Sequence, residues 1–284
     1  MEDKLVTFHI YRYHLLPTDS NGGQIDLFAK DELLTFDQIK ARKNEFFQKV
    51  LEKLVESKSN NHPLKLEYNE DGKYLFKIAQ QKTTSITKNF KKEVLSTEPY
   101  VYIIINNDPN VQKIAISVNS EAFSSPHVVK NILKKTLIRD LKEFGLNIEL
   151  EQMFDQIKFW KCVQKYKGSI TYINFQYIKP NLADISKSLP IAFRNFSENT
   201  NSHESQITIK APQNGTLENI NKDNEDINGL VAYTAEGAGN IKMKVKSIRK
   251  QLSTKDNPTT LQIRELDLEG PAEQLIKLYK TIVE

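Results

Sequence analysis

Cysteine is almost missing from this chain of 284 residues, with Cys162 the only one. That excludes an intrachain disulfide and any metal cluster built on several thiolates, and a reducing cytoplasm is the expected compartment. Arginine is scarce as well, six residues against 34 lysines. Arginine forks read base edges, whereas lysine offers a hydrated point charge suited to phosphate, so any nucleic acid would be met along its backbone. Together with the abundant asparagine and isoleucine, this bias points to an AT-rich bacterial genome. No apolar run approaches the roughly 20 residues of a membrane helix. The most conspicuous one, Tyr100–Ile105, has the length of one buried strand. Met1-Glu2-Asp3-Lys4 leads into no apolar segment, so neither a signal peptide nor a membrane partner is expected.

Catalytic signatures are missing too. There is no Gly-x4-Gly-Lys-Ser/Thr phosphate loop and no Gly-x-Ser-x-Gly elbow. Gly237-Ala238-Gly239 reads as a hairpin turn rather than a dinucleotide fingerprint. His9, His14, His62, His127 and His203 show no metal-ligand spacing, so no metal and no cofactor is expected. Cys162 has only lysines near it in sequence and reads as a small buried or half-buried thiol. Asp223-Asn224-Glu225-Asp226 lacks the glycine of a calcium loop and reads as a solvated loop. One carboxylate set keeps a metal-dependent nuclease in view: Glu265, Asp267 and Glu269 share a face if Leu261–Leu268 is a strand.

What is present is the composition of a globular chain, 39% hydrophobic and 27% charged. Leu5–Leu16 alternates as a strand, and Gln24–Phe28 reads as its hairpin return. Thr35 with Gln38 forms a capping box ahead of a helix whose Ile39, Phe46, Phe47, Val50, Leu51, Leu54 and Val55 share one face. A meander follows over 64–68, 73–79, 100–105 and 111–118, with Asp71-Gly72 in a tight turn. Ser125, Pro126 and Gly145 bound a long amphipathic helix, and Leu146–Leu150 reads as a strand. Phe154–Pro180 reads as a short helix and then a strand over 170–178, and a further helix is expected over 184–196. The polar run 197–205 marks a linker or loop between an N-terminal α+β domain, 1–196, and a β-rich unit, 206–284. Strands over 206–210, 230–235, 241–248 and 261–268 and a closing helix over 271–283 complete that unit. The fold class is α+β: antiparallel or mixed β-meanders packed against amphipathic helices, in two subdomains.

Positive charge is segregated. The windows 73–92, 156–183 and 237–255 carry 17 basic residues and no acid, and the rest of the chain sets 23 basic against 36 acidic residues. A local cationic surface matters more to a polyanion than the net charge of +4. In the middle window, Lys158, Trp160, Lys161, Lys165, Tyr166 and Lys167 interleave cations with aromatics, and Tyr172 and Tyr177 follow on the next strand. That pairing suits single-stranded nucleic acid, although Phe159, Val163 and Tyr166 equally fit a core face with lysines around it. In the last window, Lys242, Lys244 and Lys246 alternate with Ile241, Met243 and Val245, followed by Arg249 and Lys250. These lysines form a phosphate track unless Glu265, Asp267 and Glu269 pair with them across neighbouring strands. Gln80–Lys88 reads as a mobile polar loop, and Lys82, Lys88, Lys91 and Lys92 make it a candidate arm.

The leading expectation is a non-catalytic, cytoplasmic nucleic-acid-binding protein that uses lysines and stacking aromatics. The alternatives are a protein-interaction or homo-oligomerising subunit of a multi-component system and, third, the metal-dependent nuclease.

Overall fold

The computed structural model describes residues 4–18, 34–54, 62–179, 186–200, 202–246 and 248–270. Helices and antiparallel sheets together make an α+β chain. No helix among the described residues is long and apolar enough to cross a membrane. The expected return strand over 24–28 and the closing helix over 271–283 lie outside the described residues. The chain divides into two compact units, one of Met1–His9, His14–Glu149 and Leu261–Glu284, the other of Ile10–Tyr13 and Leu150–Thr260. The polar run 197–205 is therefore internal to the second unit. There Ser197 is buried, and the Ser205 hydroxyl lies 3.3 Å from that of Ser197 and 3.0 Å from that of Ser202.

In the first unit, Thr35 and Gln38 close a reciprocal capping box on α1 (Phe36–Ala41). The helix breaks at Arg42 and resumes as α2 (Lys43–Leu54), which buries Phe46, Phe47, Val50, Leu51 and Leu54. Strands β2 (Leu64–Glu70), β3 (Lys73–Ala79), β6 (Tyr100–Asn106) and β7 (Lys113–Ser117) form an antiparallel meander. The apolar run of β6 is buried from Val101 onward, as a central strand requires. Beyond β7 lies β1 (Leu5–Pro17), with which both β8 (Leu146–Gln152) and β13 (Thr260–Arg264) pair. The helix α3 (Pro126–Leu141) buries Val129, Leu133, Leu137 and Leu141 and packs against α2.

Two expectations fail in this unit. Gln80–Lys88 is no loop: β4 (Lys82–Lys88) and β5 (Lys91–Thr97) form a two-stranded sheet of their own. The signal was the β-branched run Thr83, Thr84, Ile86 and Thr87, which favours extended backbone. The strand expected over 261–268 ends at Arg264 and becomes a short helix, Glu265–Glu269. Arg264 binds Asp267 at 2.8 Å on the next turn, and carboxylates in a first turn favour the helix dipole.

In the second unit the sheet runs β10-β9-β11-β12, with β9 (Ile170–Ile178) antiparallel to both β10 (Glu204–Lys210) and β11 (Gly239–Val245). The short β12 (Leu252–Ser253) pairs with β11. Against its apolar face lies α4 (Gln156–Lys165), so that Phe159, Trp160 and Val163 share one core with Ile173, Phe175, Tyr177, Ile241, Met243 and Val245. Asp155 caps α4 by accepting from the Ile157 N–H at 2.8 Å. The segment expected as a strand over 230–235 is instead the second half of the helix Glu225–Tyr233. Asn224 caps that helix and Glu225 and Asp226 occupy its first turn, so the acidic stretch is not a solvated loop but a helix start. Gly237-Ala238-Gly239 accordingly lies in the wide turn that ends the helix, not in a hairpin.

That turn receives the side chain of Arg12, which is 4% exposed. Its Nε donates to the Glu236 carbonyl and its Nη2 meets the Glu236 carboxylate at 3.1 Å. Burial favours the neutral guanidine, and the carboxylate opposes that by favouring the charged form. Immediately after, β11 approaches β9 so closely that a Cβ on Gly239 would sit 2.0 Å from the Gln176 carbonyl oxygen. Gly239→Ala is therefore expected to cost about 3 kcal/mol, measured as a lower midpoint of urea unfolding.

Candidate functional site

The pleat of β9 sorts its side chains into two sets. Ile173, Phe175 and Tyr177 enter the core, while Tyr172, Asn174 and Gln176 point to the other face. Residues directly opposite in antiparallel strands share a face, so the register extends this polar face over three strands. Tyr172 lies between Lys210 of β10 and Lys244 of β11. Asn174 lies between Thr208 and Lys242, and Gln176 between Gln206 and Asn240.

The first row is a cation, an aromatic ring and a cation on neighbouring strands about 5 Å apart. Lys244 Nζ sits 5.6 Å from the centre of the Tyr172 ring. Lys210 and Lys244 are exposed, and Tyr172 is half-buried. Among the described residues none of Lys210, Lys242 and Lys244 forms a salt bridge. In the second row the buried Asn174 donates through Nδ2 to Thr208 Oγ1 at 2.8 Å, which ties β9 to β10 at the middle of the face. At the far end Glu204 accepts from Gln176 at 2.7 Å. Glu204 is six residues from Lys210, or about 20 Å along the strand, so the face runs from a cationic end to an acidic one.

The remaining basic residues fall into separate groups. Lys158, Lys161 and Lys165 are exposed on α4, and Lys167 on the turn after it. Because α4 covers the apolar face of the sheet, its lysines are on the opposite side of the layer from Lys242 and Lys244. Trp160 is a core residue, 9% exposed, and is not a stacking platform. Tyr166 is half-buried beneath Lys165, whose Nζ is 5.1 Å from the ring centre. Tyr177 is buried against Tyr233. Lys246 donates to the Asn214 carbonyl at 2.8 Å, Lys250 pairs with Asp256 at 3.3 Å, and Arg249 is exposed. Lys82, Lys88, Lys91 and Lys92 belong to the β4–β5 hairpin of the first unit.

The three carboxylates do not assemble on a strand. Glu265 pairs with Lys4 at 3.1 Å and Asp267 with Arg264 at 2.8 Å. Glu269 lies 3.7 Å from Lys77 and accepts from Tyr102 at 3.1 Å. The cross-strand pairing that would have neutralised the β11 lysines is absent as well, because β11 pairs with β9 and β12 whereas β13 pairs with β1. Among the described residues no group of three His, Cys, Asp or Glu side chains is placed to hold a metal ion.

Sequence reasoning passed over Lys210. The signal was available: Gln206-Ile207-Thr208-Ile209-Lys210 and Tyr172-Ile173-Asn174-Phe175-Gln176 alternate in the same sense and pair residue for residue. Compared with known proteins, the chain matches no family model and no curated protein.

Cys162 lines a cavity of about 150 Å3 with Phe154, Phe159, Ile241, Met243 and Leu252. Burial pushes its thiol pKa up, and Lys165 only partly opposes the shift, so the group stays protonated near neutral pH. Iodoacetamide at pH 8 is expected to label Cys162 about tenfold more slowly in the native chain than in urea, followed by mass spectrometry.

Proposed function

We propose that this chain is a non-catalytic nucleic-acid-binding protein that holds a single strand on the polar face of its four-stranded sheet. The row Lys210–Tyr172–Lys244 carries the reading. A flat ring takes the face of a base, and an ammonium on either side takes the flanking phosphates. Lys242 extends the phosphate contacts along β11, and Gln176 and Gln206 offer hydrogen bonds to base edges or sugars. The scarcity of arginine supports backbone contact over base-edge recognition. A bacterial cytoplasm belongs to the same reading, supported by the lysine-rich composition and a single protonated thiol.

One observation favours a second reading, a protein-interaction or self-associating subunit. Strand β10 is the edge of its sheet, and beside it Phe193, Phe196 and Ile207 line a groove of about 530 Å3. An added strand could pair with that edge while the groove takes an apolar side chain.

Fluorescence anisotropy with labelled single-stranded DNA and RNA, titrated with salt, separates the two. Binding is expected to weaken steeply with salt, and Lys210→Gln and Lys244→Gln should each flatten the log–log slope by about 0.7. Tyr172→Ala should cost about 1–3 kcal/mol of binding free energy with the slope unchanged. Lys158→Gln, on the opposite layer, is expected to leave affinity as it was. Affinity indifferent to salt, or undisturbed by the Tyr172 and Lys244 substitutions, would discard the sheet face as the binding surface.

A further inference from the structure

A second contact element stands in the first unit, independent of the sheet face. Beyond its base the β4–β5 hairpin is open to solvent: Thr83–Glu98 are all exposed. The base itself is pinned, with Gln80 N–H donating to the Pro99 carbonyl at 3.0 Å and Lys82 Nζ to the Glu121 carbonyl at 2.6 Å. Each strand has seven residues, so the ribbon extends about 23 Å. A two-stranded ribbon with no covered face is marginal by itself, and three features of this one run against its own stability.

The first is the turn. Asn89 and Phe90 both have left-handed backbone, with φ of 49° and 61°. Such a turn favours Asn-Gly; asparagine is in place, but a bulky phenylalanine holds the position that glycine fills most easily. The second is exposure, since the Phe90 ring is fully solvated at 103%. The third is charge. Lys88 and Lys91 are directly opposite each other, with Lys92 beside them and no acid until Glu93. Like charges facing across a ribbon repel, and an anion placed between them removes the penalty.

We propose that this hairpin tip is a duplex-DNA contact: Lys88, Lys91 and Lys92 bind phosphates on the groove rims, and Phe90 wedges against the base pairs. A two-stranded ribbon matches the width of the major groove, about 12 Å, and a bulky ring driven against a base step unstacks it, as apolar wedges do from the minor groove. The shanks carry the hydroxyls of Thr83, Thr84, Ser85, Thr87, Ser96 and Thr97, together with three exposed apolar residues, Ile86, Val94 and Leu95. Short hydroxyl side chains keep the ribbon narrow and can donate to phosphate oxygens. The A-form major groove of duplex RNA is too deep and narrow for side chains to read, so DNA is the duplex it fits.

The test uses the full chain and a short labelled DNA duplex. Phe90→Ala is expected to weaken binding about tenfold with an unchanged salt slope, and to abolish the rise in 2-aminopurine fluorescence that reports unstacking. Phe90→Gly supplies the residue the turn prefers, so an equal loss shows that the missing ring, and not a distorted hairpin, is responsible. Replacing Lys88, Lys91 and Lys92 together by glutamine should flatten the log–log salt slope by about 2 to 3. Tyr172→Ala should leave duplex binding intact while lowering single-strand binding, which keeps failure of the two surfaces distinguishable. Duplex affinity unaffected by the tip variants overturns the proposal. So does a tip whose substitutions abolish binding to phosphatidylserine vesicles, or change the oligomeric state, without altering DNA binding.

Discussion

Strand β9 cannot shift by one residue against its neighbours without turning the second unit inside out. A slip would drive Tyr172 and Lys244 into the core and expose Ile173, Phe175 and Met243, because side chains alternate with a period of two. Three local features hold the register. Gly239 lets β11 approach Gln176 where any Cβ would collide. Asn174 is bonded across to Thr208. The ladder ends in an irregularity between Lys244 and Val245, which confines the regular pairing to the stretch that forms the polar face. The cation–aromatic–cation row therefore exists only because apolar burial on the other side fixes where the polar residues point.

The same two-layer physics sets apart charges that are close in sequence. Lysines 158, 161 and 165 surround the apolar stripe of α4, and that stripe is spent on the sheet core. A helix lying on one face of a sheet presents its own polar side away from the sheet, so its lysines cannot join those on the opposite sheet face. Trp160, the residue best suited to stacking by type, was taken by the core for the same reason. The aromatic left for the polar face is Tyr172, a strand residue whose neighbours on both sides are lysines.

In the first unit, burial and charge act through different segments. The β2–β3–β6–β7 meander and the α2–α3 pair consume the long apolar runs. The hairpin between β3 and β6 has no such run: hydroxyls and three exposed apolar residues along the shanks, lysines and one phenylalanine at the tip. Its ladder pairs the inward-facing backbone groups and leaves the outer edges to water, and what it displays is free to serve something outside the chain.

Much of this was legible in the residues alone. The capping box at Thr35, the Asp71-Gly72 turn, the uniformly apolar β6 and the alternation of β11 are local signals, each set by a few neighbouring side chains. The helix over 225–233 was divided between a polar loop and a strand over 230–235, because its apolar run was weighed ahead of the Asn224 cap and the acidic first turn. The acids at 265–269 were assigned to a strand because alternation over five residues cannot be told from a helical turn anchored by one ion pair. Sequence by itself determined which residues are apolar, which are cationic, and with what period. Only the tertiary structure decided which strand lies beside which, because pairing partners are chosen by burial summed over the whole sheet. Lys210 and Lys244 are 38 and 72 residues from Tyr172 along the chain and become its neighbours through that choice alone.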